Sequence, residues 1–261
     1  MQLFYRLYGN GKNIIILHGL FEMSDAWVGY AKHWASKYRV IVPDLRNHGF
    51  SPHSQEHNSY VMANDLKELM DNLEIEKTIL IGYSMGGRVA MNFAQRFENL
   101  VEKLIIIDMA PDRYDPDLLM TKSPYMKKMN LILNIDIEKY KTRKELQTYI
   151  QKIIDNQRLS GLIMKNIKQN DRKFVWKFNT QALKDYINNL QDYPINVNKK
   201  ISTPTLFIKA EKSLYINEKQ INIIQKIFLN YKLITVQGTT HFLQVERPAQ
   251  VMKIIDDFIS Q

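Results

Sequence analysis

The stretch that decides the fold reads KTILIGYSMGGRVAMNFAQRF and covers residues 77–97. An apolar run ends in the pattern Gly-x-Ser-x-Gly, and an amphipathic run follows it without a break. This order predicts a strand, a tight turn and a helix, which together form a nucleophile elbow. Glycine is needed at Gly82 and Gly86 because side chains there would collide where strand and helix approach closely. The pattern by itself also allows a structural turn with a passive serine.

Ser84 stands at the N-terminus of the predicted helix, where the backbone N–H of Met85 can face a developing oxyanion. A serine hydroxyl is a weak nucleophile until a positioned base takes its proton. Among six histidines, His241 follows the last predicted strand and precedes the last helix. It therefore comes from the carboxyl edge of the strands, where open α/β sheets place their sites. We expect His241 to be the base.

Two further histidines follow predicted strands and concern the loops beside the site. His18, in IIILHGLF, is expected to shape the loop that supplies the second oxyanion donor. The N–H of Leu20 is the expected donor, with the N–H of Phe21 as the alternative. His48, in DLRNHGFS, is expected to be a structural loop residue at the pocket rim, and it is also a candidate for substrate contact.

Short apolar runs alternate with amphipathic ones near both ends of the chain, which is typical of a parallel α/β sheet. The predicted strands are 3–8, 13–17, 39–43, 78–81, 103–107, 205–209 and 232–236. The predicted helices of this part are 24–36, 59–73, 85–97, 217–228 and 248–259. Between them the alternation stops, and the sequence indicates several helices and no good strand. We therefore predict an α/β core formed by residues 1–111 and 202–261, and a helical insertion at residues 112–201, called the insertion below.

Composition limits the possible functions of this chain of 261 residues. It has no cysteine, which excludes disulfides, thiolate catalysis and Cys-ligated metal sites and fits a cytoplasmic protein. No apolar segment approaches the roughly 20 residues that cross a bilayer, and the N-terminal stretch lacks the pattern of a signal peptide. The net charge is +9, but basic and acidic residues alternate without a recognition motif, so we expect no nucleic-acid partner.

The positive charge is concentrated in the insertion. Residues 112–200 hold 18 lysines and arginines against 10 acidic residues, a surplus of eight positive charges. Two interpretations stay open at this stage. The insertion either presents a solvated helical surface or forms a lid that attracts an anionic substrate.

Four motifs in this order resemble the α/β-hydrolase superfamily, namely HGLF (18–21), DLRNHGFSP (44–52), GYSMGG (82–87) and GTTHF (238–242). The resemblance covers the whole chain. It implies an α/β-hydrolase fold, a mostly parallel twisted sheet with a helical cap inserted after the sixth strand. The further motifs IDMAP (107–111), WKFN (176–179) and SLYI (213–216) resemble the small bacterial esterases of the YbfF type and their relatives in the abhydrolase group.

The acid of the expected triad departs from the common pattern of this superfamily. An aspartate is usually expected after the seventh strand, but FIKAEKSLYIN has Ser213 at that place and Glu211 nearby. Asp108 ends the strand next to the nucleophile's strand and can also reach the His241 loop, and the YbfF-type esterases resemble the chain in this feature. We assign the acid to Asp108, with Glu211 as the alternative. An aspartate that only caps the following turn remains a third interpretation.

These residues and the resemblance imply a serine hydrolase that cleaves carboxylic esters or thioesters through an acyl-enzyme on Ser84. The resemblance suggests short-to-medium acyl esters, with acyl-CoA thioesters as a further possibility, and no cofactor or metal. Trp176 and Phe178 are candidates for lining the acyl pocket, although aromatic residues at such spacing are more often core. Two alternatives remain, a MenH-type lyase on the same fold and a catalytically silent binding module. The oligomeric state is left open.

Overall fold

The computed structural model describes residues 1–112, 124–171, 173–189 and 195–261. Its central sheet has seven strands in the order β1-β3-β2-β4-β5-β8-β9, and β6 and β7 form a separate hairpin. The strands are β1 Tyr5–Tyr8, β2 Lys12–Leu17, β3 Tyr38–Pro43, β4 Thr78–Tyr83, β5 Val101–Ile107, β6 Ile167–Asn170, β7 Lys173–Trp176, β8 Thr205–Ala210 and β9 Tyr231–Val236. β1 pairs antiparallel to β3, and the other neighbours in the central sheet pair in parallel.

The α-helices of the described residues connect these strands or lie in the insertion. They are α1 Val28–Trp34, α2 Ser59–Asn72, α3 Met85–Arg96, α4 Pro124–Leu133, α5 Arg143–Ile154, α6 Gln157–Lys165, α7 Thr180–Asn189, α8 Glu218–Ile227, α9 Leu243–Glu246 and α10 Pro248–Ile259. None of these helices combines the length and the apolar character that crossing a bilayer requires.

Successive side chains along each strand belong alternately to two apolar clusters, one on each face of the sheet. On β2, Ile15 and Leu17 belong to the cluster that includes residues of α2, α3 and α8. Ile14 and Ile16 point to the opposite cluster, which includes residues of α1 and α10. Because both faces are covered, the strands have almost no polar face, and this explains their continuous Ile, Leu and Val runs.

The seven predicted core strands correspond to the seven strands of the central sheet, with ends that differ by one or two residues. The insertion follows β5, the fifth strand along this chain, whereas the sequence places it after a sixth. Only the number of the strand differs. The prediction and the structure both place the insertion directly after the strand that ends at Ile107.

The insertion differs from the expectation of an all-helical segment. It contains helices α4 to α7, but residues 167–176 form the antiparallel hairpin β6-β7. Each strand has four residues, and only Ile167 and Phe174 are fully buried in them, so the sequence carries no alternating pattern long enough to indicate a strand. Residues 113–123, 172 and 190–194 of the predicted insertion lie outside the described residues.

Candidate active site

The turn between β4 and α3 holds Ser84 in a backbone conformation that non-glycine residues rarely adopt, with φ 50° and ψ −118°. A Cβ atom at Gly82 would lie 2.4 Å from the carbonyl oxygen of Gly86, and one at Gly86 would lie 2.3 Å from the carbonyl oxygen of Leu17. Both contacts are with backbone, which cannot move aside. The two glycines therefore permit the close crossing that projects Ser84 from the carboxyl edge of the sheet.

His241 lies in the loop after β9 and contacts the serine directly. Its Nε2 is 2.9 Å from Ser84 Oγ, and its Nδ1 is 2.7 Å from Asp108 Oδ2. An ionised carboxylate only accepts hydrogen bonds, so the proton between them belongs to Nδ1. This leaves Nε2 as the acceptor for the serine hydroxyl. The three side chains are almost entirely buried.

Two tyrosines hold the imidazole of His241 in place. The ring of Tyr215 stacks on it with centroids 4.1 Å apart and an interplanar angle of 22°. Tyr83 donates from its hydroxyl to the backbone carbonyl of His241 at 3.0 Å. Ser213 occupies the usual acid position and accepts a hydrogen bond from the N–H of Tyr215 at 3.2 Å. Tyr215 has no predicted role, although its motif SLYI is among those that resemble the esterases.

Asp108 follows β5 directly and is fully buried. Its φ of 46° turns the side chain toward the β8 end of the sheet, where Oδ1 accepts from the N–H of Ala210 at 3.0 Å. Oδ2 is thus directed at His241. Glu211 does not take this place, because its Oε2 accepts from the N–H of Gly238 at 2.7 Å and the residue is exposed.

His18 braces the predicted oxyanion loop, here residues 18–22, from within the core. Its Nδ1–H donates to Gly19 O at 2.8 Å, and its Nε2 accepts from the N–H of Leu45 at 2.9 Å. Burial lowers the pKa of His18, an effect that the nearby Asp44 carboxylate partly offsets. A neutral imidazole is the form that these two hydrogen bonds require.

Glu22 is a buried carboxyl that the sequence does not mark as part of the site. It lines the cleft beside Ser84 and accepts hydrogen bonds from Gly19 N–H at 3.0 Å, Trp27 Nε1–H at 3.1 Å and Gln244 Nε2–H at 3.2 Å. Burial raises the pKa of Glu22. Its contacts join the oxyanion loop to α9, which follows His241. An acidic residue directly after an apolar loop was the signal available in the sequence.

Of the two roles expected for His48, structural loop residue and substrate contact at the pocket rim, the geometry favours the first. His48 is fully buried, and both ring nitrogens face backbone groups: Nδ1 donates to Arg46 O at 3.0 Å, and Nε2 accepts from Phe21 N–H at 3.4 Å. Burial lowers the pKa of His48 well below its usual value. The ring therefore supports the oxyanion loop from behind, as the structural interpretation expects.

The three expected oxyanion donors are the N–H groups of Met85, Leu20 and Phe21, and they differ in position and in hydrogen bonding. Met85 is the first residue of α3 and directly follows Ser84, so its N–H has no i−4 carbonyl within the helix. Leu20 lines the cleft together with Ser84. Phe21 also lines it, but its N–H is directed at His48. This geometry favours Leu20 over Phe21 as the partner of Met85.

A narrow cleft opens above Ser84. Its wall is mainly apolar and consists of Leu20, Phe21, Glu22, Tyr83, Ser84, Met129, Leu159, Leu162, Ile163, His241 and Phe242. Four of these residues come from α4 and α6 of the insertion. Among the described lining residues there is no lysine or arginine, so the lysines and arginines in the described part of the insertion do not line the cleft.

Trp176 and Phe178, the predicted pocket residues, do not line this cleft. Their rings stack on each other with centroids 4.6 Å apart, and Phe178 meets the ring of Phe21 edge-on at 5.4 Å. They pack behind the oxyanion loop instead of beside the substrate. Within the described parts of the chain, no group of histidine and acidic side chains has an arrangement that could hold a metal ion.

Comparison of the sequence with known proteins finds similarity to one family and to proteins named as esterases. The sequence profile of the family described as alpha/beta hydrolase fold matches residues 12–248. The chain is 31% identical over 248 residues to a Haemophilus influenzae protein whose name assigns it to the esterases or lipases, covering 95% of this chain and 83% of that protein. It is 26% identical over 255 residues to esterase YbfF of Escherichia coli, covering 96% and 94% of the two chains.

One solved structure, of a marine microorganism esterase, superposes with a TM-score of 0.90 at 35% sequence identity. The superposition covers 98% of this chain and 99% of the other. The two proteins therefore share one fold.

Proposed function

This chain belongs to the α/β-hydrolase family, and on that premise we propose that it is a serine hydrolase that cleaves carboxylic esters through an acyl-enzyme on Ser84. The observation that carries the proposal is the continuous chain of hydrogen bonds from Ser84 Oγ through His241 to Asp108, at 2.9 and 2.7 Å. Its relatives named as esterases support the same reaction class.

In the proposed reaction Ser84 Oγ attacks the acyl carbon while His241 Nε2 takes the hydroxyl proton. Asp108 holds the imidazole in the required tautomer and stabilises the imidazolium that forms. The N–H groups of Met85 and Leu20 stabilise the charge of the tetrahedral intermediate. His241 then protonates the leaving alcohol, and a water molecule activated by the same histidine releases the acid.

We propose that the insertion acts as a cap whose helices supply the acyl wall. Met129, Leu162 and Ile163 line the cleft opposite Ser84, and the cleft between them is narrow and mainly apolar. A narrow apolar wall favours short-to-medium acyl chains. Because the wall described carries no cationic side chain, neutral esters are favoured over acyl-CoA thioesters, whose phosphates need positive partners.

A fluorophosphonate probe tests the nucleophile. Wild-type protein should label at one site, and Ser84→Ala should not label, because the probe reacts only with an activated serine. Circular dichroism of both proteins shows whether the variant is folded. A folded wild-type protein that does not label would contradict the proposal and favour a binding module.

The substrate class is tested with p-nitrophenyl esters of graded chain length beside acyl-CoA thioesters of the same chains. We expect the highest kcat/KM for esters of short-to-medium acyl chains, because the cleft is narrow and its wall is mainly apolar. A preference for the CoA thioesters would contradict the neutral-ester assignment. Labelling without turnover of any ester would point to elimination chemistry.

A further inference from the structure

Phe21 lies at the centre of the oxyanion loop in an unfavourable backbone conformation. Its φ is 63°, in the left-handed region that costs a residue with a bulky side chain about 1–2 kcal/mol. Such a conformation persists only where surrounding contacts determine it. Phe21 lies in the turn that the hydrogen bond from Glu22 N–H to Gly19 O closes at 3.2 Å. The expected donor, Leu20 N–H, belongs to the preceding peptide group of the same turn, so its position depends on what holds Phe21.

Contacts from two parts of the protein hold Phe21. From the core, His48 Nε2 accepts its N–H at 3.4 Å. From the insertion, Asn166 Nδ2 donates to its carbonyl oxygen at 2.8 Å, and the ring of Phe178 packs edge-on against its side chain at 5.4 Å. The shorter of the two backbone hydrogen bonds thus comes from the insertion.

Asn166 follows the last residue of α6 and is 1% exposed. Its amide nitrogen faces two carbonyl oxygens, Phe21 O at 2.8 Å and Leu162 O at 3.1 Å. An amide oxygen in that position would repel both, so the contacts determine the orientation of the side chain. Among the described residues its Oδ1 has no hydrogen-bond partner. A buried amide that is only half satisfied is costly for stability.

We propose that Asn166 is a positioning residue of the active site, which acts through the Phe21 carbonyl to hold the oxyanion loop in its productive conformation. The inference rests on the proposed function. Without this donor, the described contacts leave the Phe21–Glu22 peptide group only its longer hydrogen bond, from Glu22 N–H to Gly19 O at 3.2 Å, so the turn that carries Leu20 N–H can shift. Misplacement of a reacting group by about 1 Å costs on the order of 100-fold in rate, although Asn166 touches neither substrate nor Ser84.

A second asparagine of the insertion provides the matched control. Asn179 donates from its Nδ2 to Ser54 O at 3.1 Å and from its backbone N–H to Asn47 O at 2.9 Å. It therefore also ties the insertion to a carbonyl of the core. None of its described hydrogen bonds reaches residues 18–22. Replacement of Asn179 therefore removes a hydrogen bond between the insertion and the core and leaves the hydrogen bonds of the oxyanion loop in place.

The experiment compares Asn166→Leu with Asn179→Leu in ester hydrolysis at pH 6 to 9. Leucine removes the donor with little change in volume. We expect Asn166→Leu to lower kcat by about 10–100-fold, in view of the larger losses seen when a donor itself is removed, and to change KM by less than threefold. Asn179→Leu should keep kcat within about threefold of wild type. Thermal unfolding of both variants separates this difference from loss of stability.

A third variant, Asn166→Asp, gives a pH signature that a purely structural role would not produce. Burial and two facing carbonyl oxygens raise the pKa of a carboxyl group at this position. The protonated group can donate to Phe21 O, and the ionised group cannot. The kcat of this variant relative to wild type should therefore rise as the pH falls from 9 to 6, whereas the ratio for Asn166→Leu should stay flat.

Equal effects of Asn166→Leu and Asn179→Leu on kcat, or a flat pH ratio for a folded Asn166→Asp, would overturn the inference. If Asn166→Asp fails to fold, the pair of leucine variants decides alone. Failure of the proposed function has a different signature, since the wild-type protein would then neither hydrolyse esters nor label with the fluorophosphonate.

Discussion

The backbone conformation of Asp108 determines where its carboxylate points. Because its φ is 46°, the chain bends directly after β5 and the carboxylate turns toward the end of β8. One oxygen is held by the N–H of Ala210 and the other meets His241 at 2.7 Å. A carboxylate with both oxygens engaged in this way has little freedom, and it orients the imidazole toward Ser84.

Substitution of Asp108 by Asn should therefore reduce kcat by about 1,000–10,000-fold, because an amide permits the wrong imidazole tautomer. Glu211→Gln should leave kcat within about twofold, since an amide oxygen can still accept from the N–H of Gly238. Steady-state hydrolysis of a p-nitrophenyl ester measures both variants. A large loss in Glu211→Gln with an active Asp108→Asn would reverse the assignment of the acid.

The site residues on the core could be predicted from the sequence, whereas those on the insertion could not. Asp108 follows from the rule that carboxyl ends of neighbouring parallel strands meet at one edge. Trp176 and Phe178 are candidates for the pocket because of their residue type, although such residues are more often core, and a short motif does not say which surface an aromatic ring covers. The role proposed for Asn166 has no local signal, because an asparagine between Lys165 and Ile167 does not show that its side chain reaches Phe21.

At the scale of elements, the nucleophile turn depends on the close crossing of β4 and α3. The space for a Cβ atom at Gly82 is taken by the backbone of Gly86 and Gly87. A methyl group there must push the helix away from the strand, which displaces Ser84 from His241. The same crossing lets the first turn of α3 aim its N–H groups at the site.

Gly82→Ala should destabilise the protein by at least about 2 kcal/mol through overpacking and should abolish fluorophosphonate labelling. Gly161→Ala is the matched control, because this glycine lies within α6 with no atoms within 4 Å of its missing Cβ. There the methyl group should stabilise the protein by about 0.5–1 kcal/mol. Urea unfolding measures both, and a neutral Gly82→Ala would refute the steric explanation.

Elements of the core and of the insertion also differ in how well the sequence predicts them. Core strands are buried on both faces, so their continuous apolar runs identify them without knowledge of the neighbours. The strands of the β6-β7 hairpin are short and largely exposed, and their pairing depends on contacts with each other and with the core. Because tertiary contacts determine these strands, the local sequence has no strand pattern that could be detected.

At the scale of the whole molecule, a cluster of buried histidines beneath the oxyanion loop couples the site to the stability of the core. His48 lies between His18 and His57, with ring centroids 5.1 and 5.6 Å away. Burial lowers the pKa of all three, and for His57 the effect, with Arg46 and His18 adding to it, brings the pKa to about 3. The folded protein therefore excludes protons that the unfolded chain accepts.

The direction of the resulting pH dependence follows from these lowered pKa values. Unfolded histidine titrates near pH 6.5, so the stabilising difference is fully present above that pH. As the pH falls below about 6.5, the unfolded state gains protons and the free energy of unfolding drops. For His57, whose folded pKa is about 3, the slope is about 1.4 kcal/mol per pH unit. The loss from His57 continues until the pH reaches its folded pKa of about 3.

His57→Phe should make unfolding less sensitive to acid. Phenylalanine keeps a ring against Tyr186, which His57 meets edge-on at 4.9 Å, but it cannot take up a proton. Between pH 6 and 4.5 the slope of the free energy of unfolding against pH should fall by about 1.4 kcal/mol per unit relative to wild type. Tyr186→Phe perturbs the same packing without removing a group that titrates in this range, so it should shift stability and leave the slope unchanged. Equal slopes for His57→Phe and wild type would mean that the imidazole is protonated in the folded protein, and the acid sensitivity would then have to arise elsewhere.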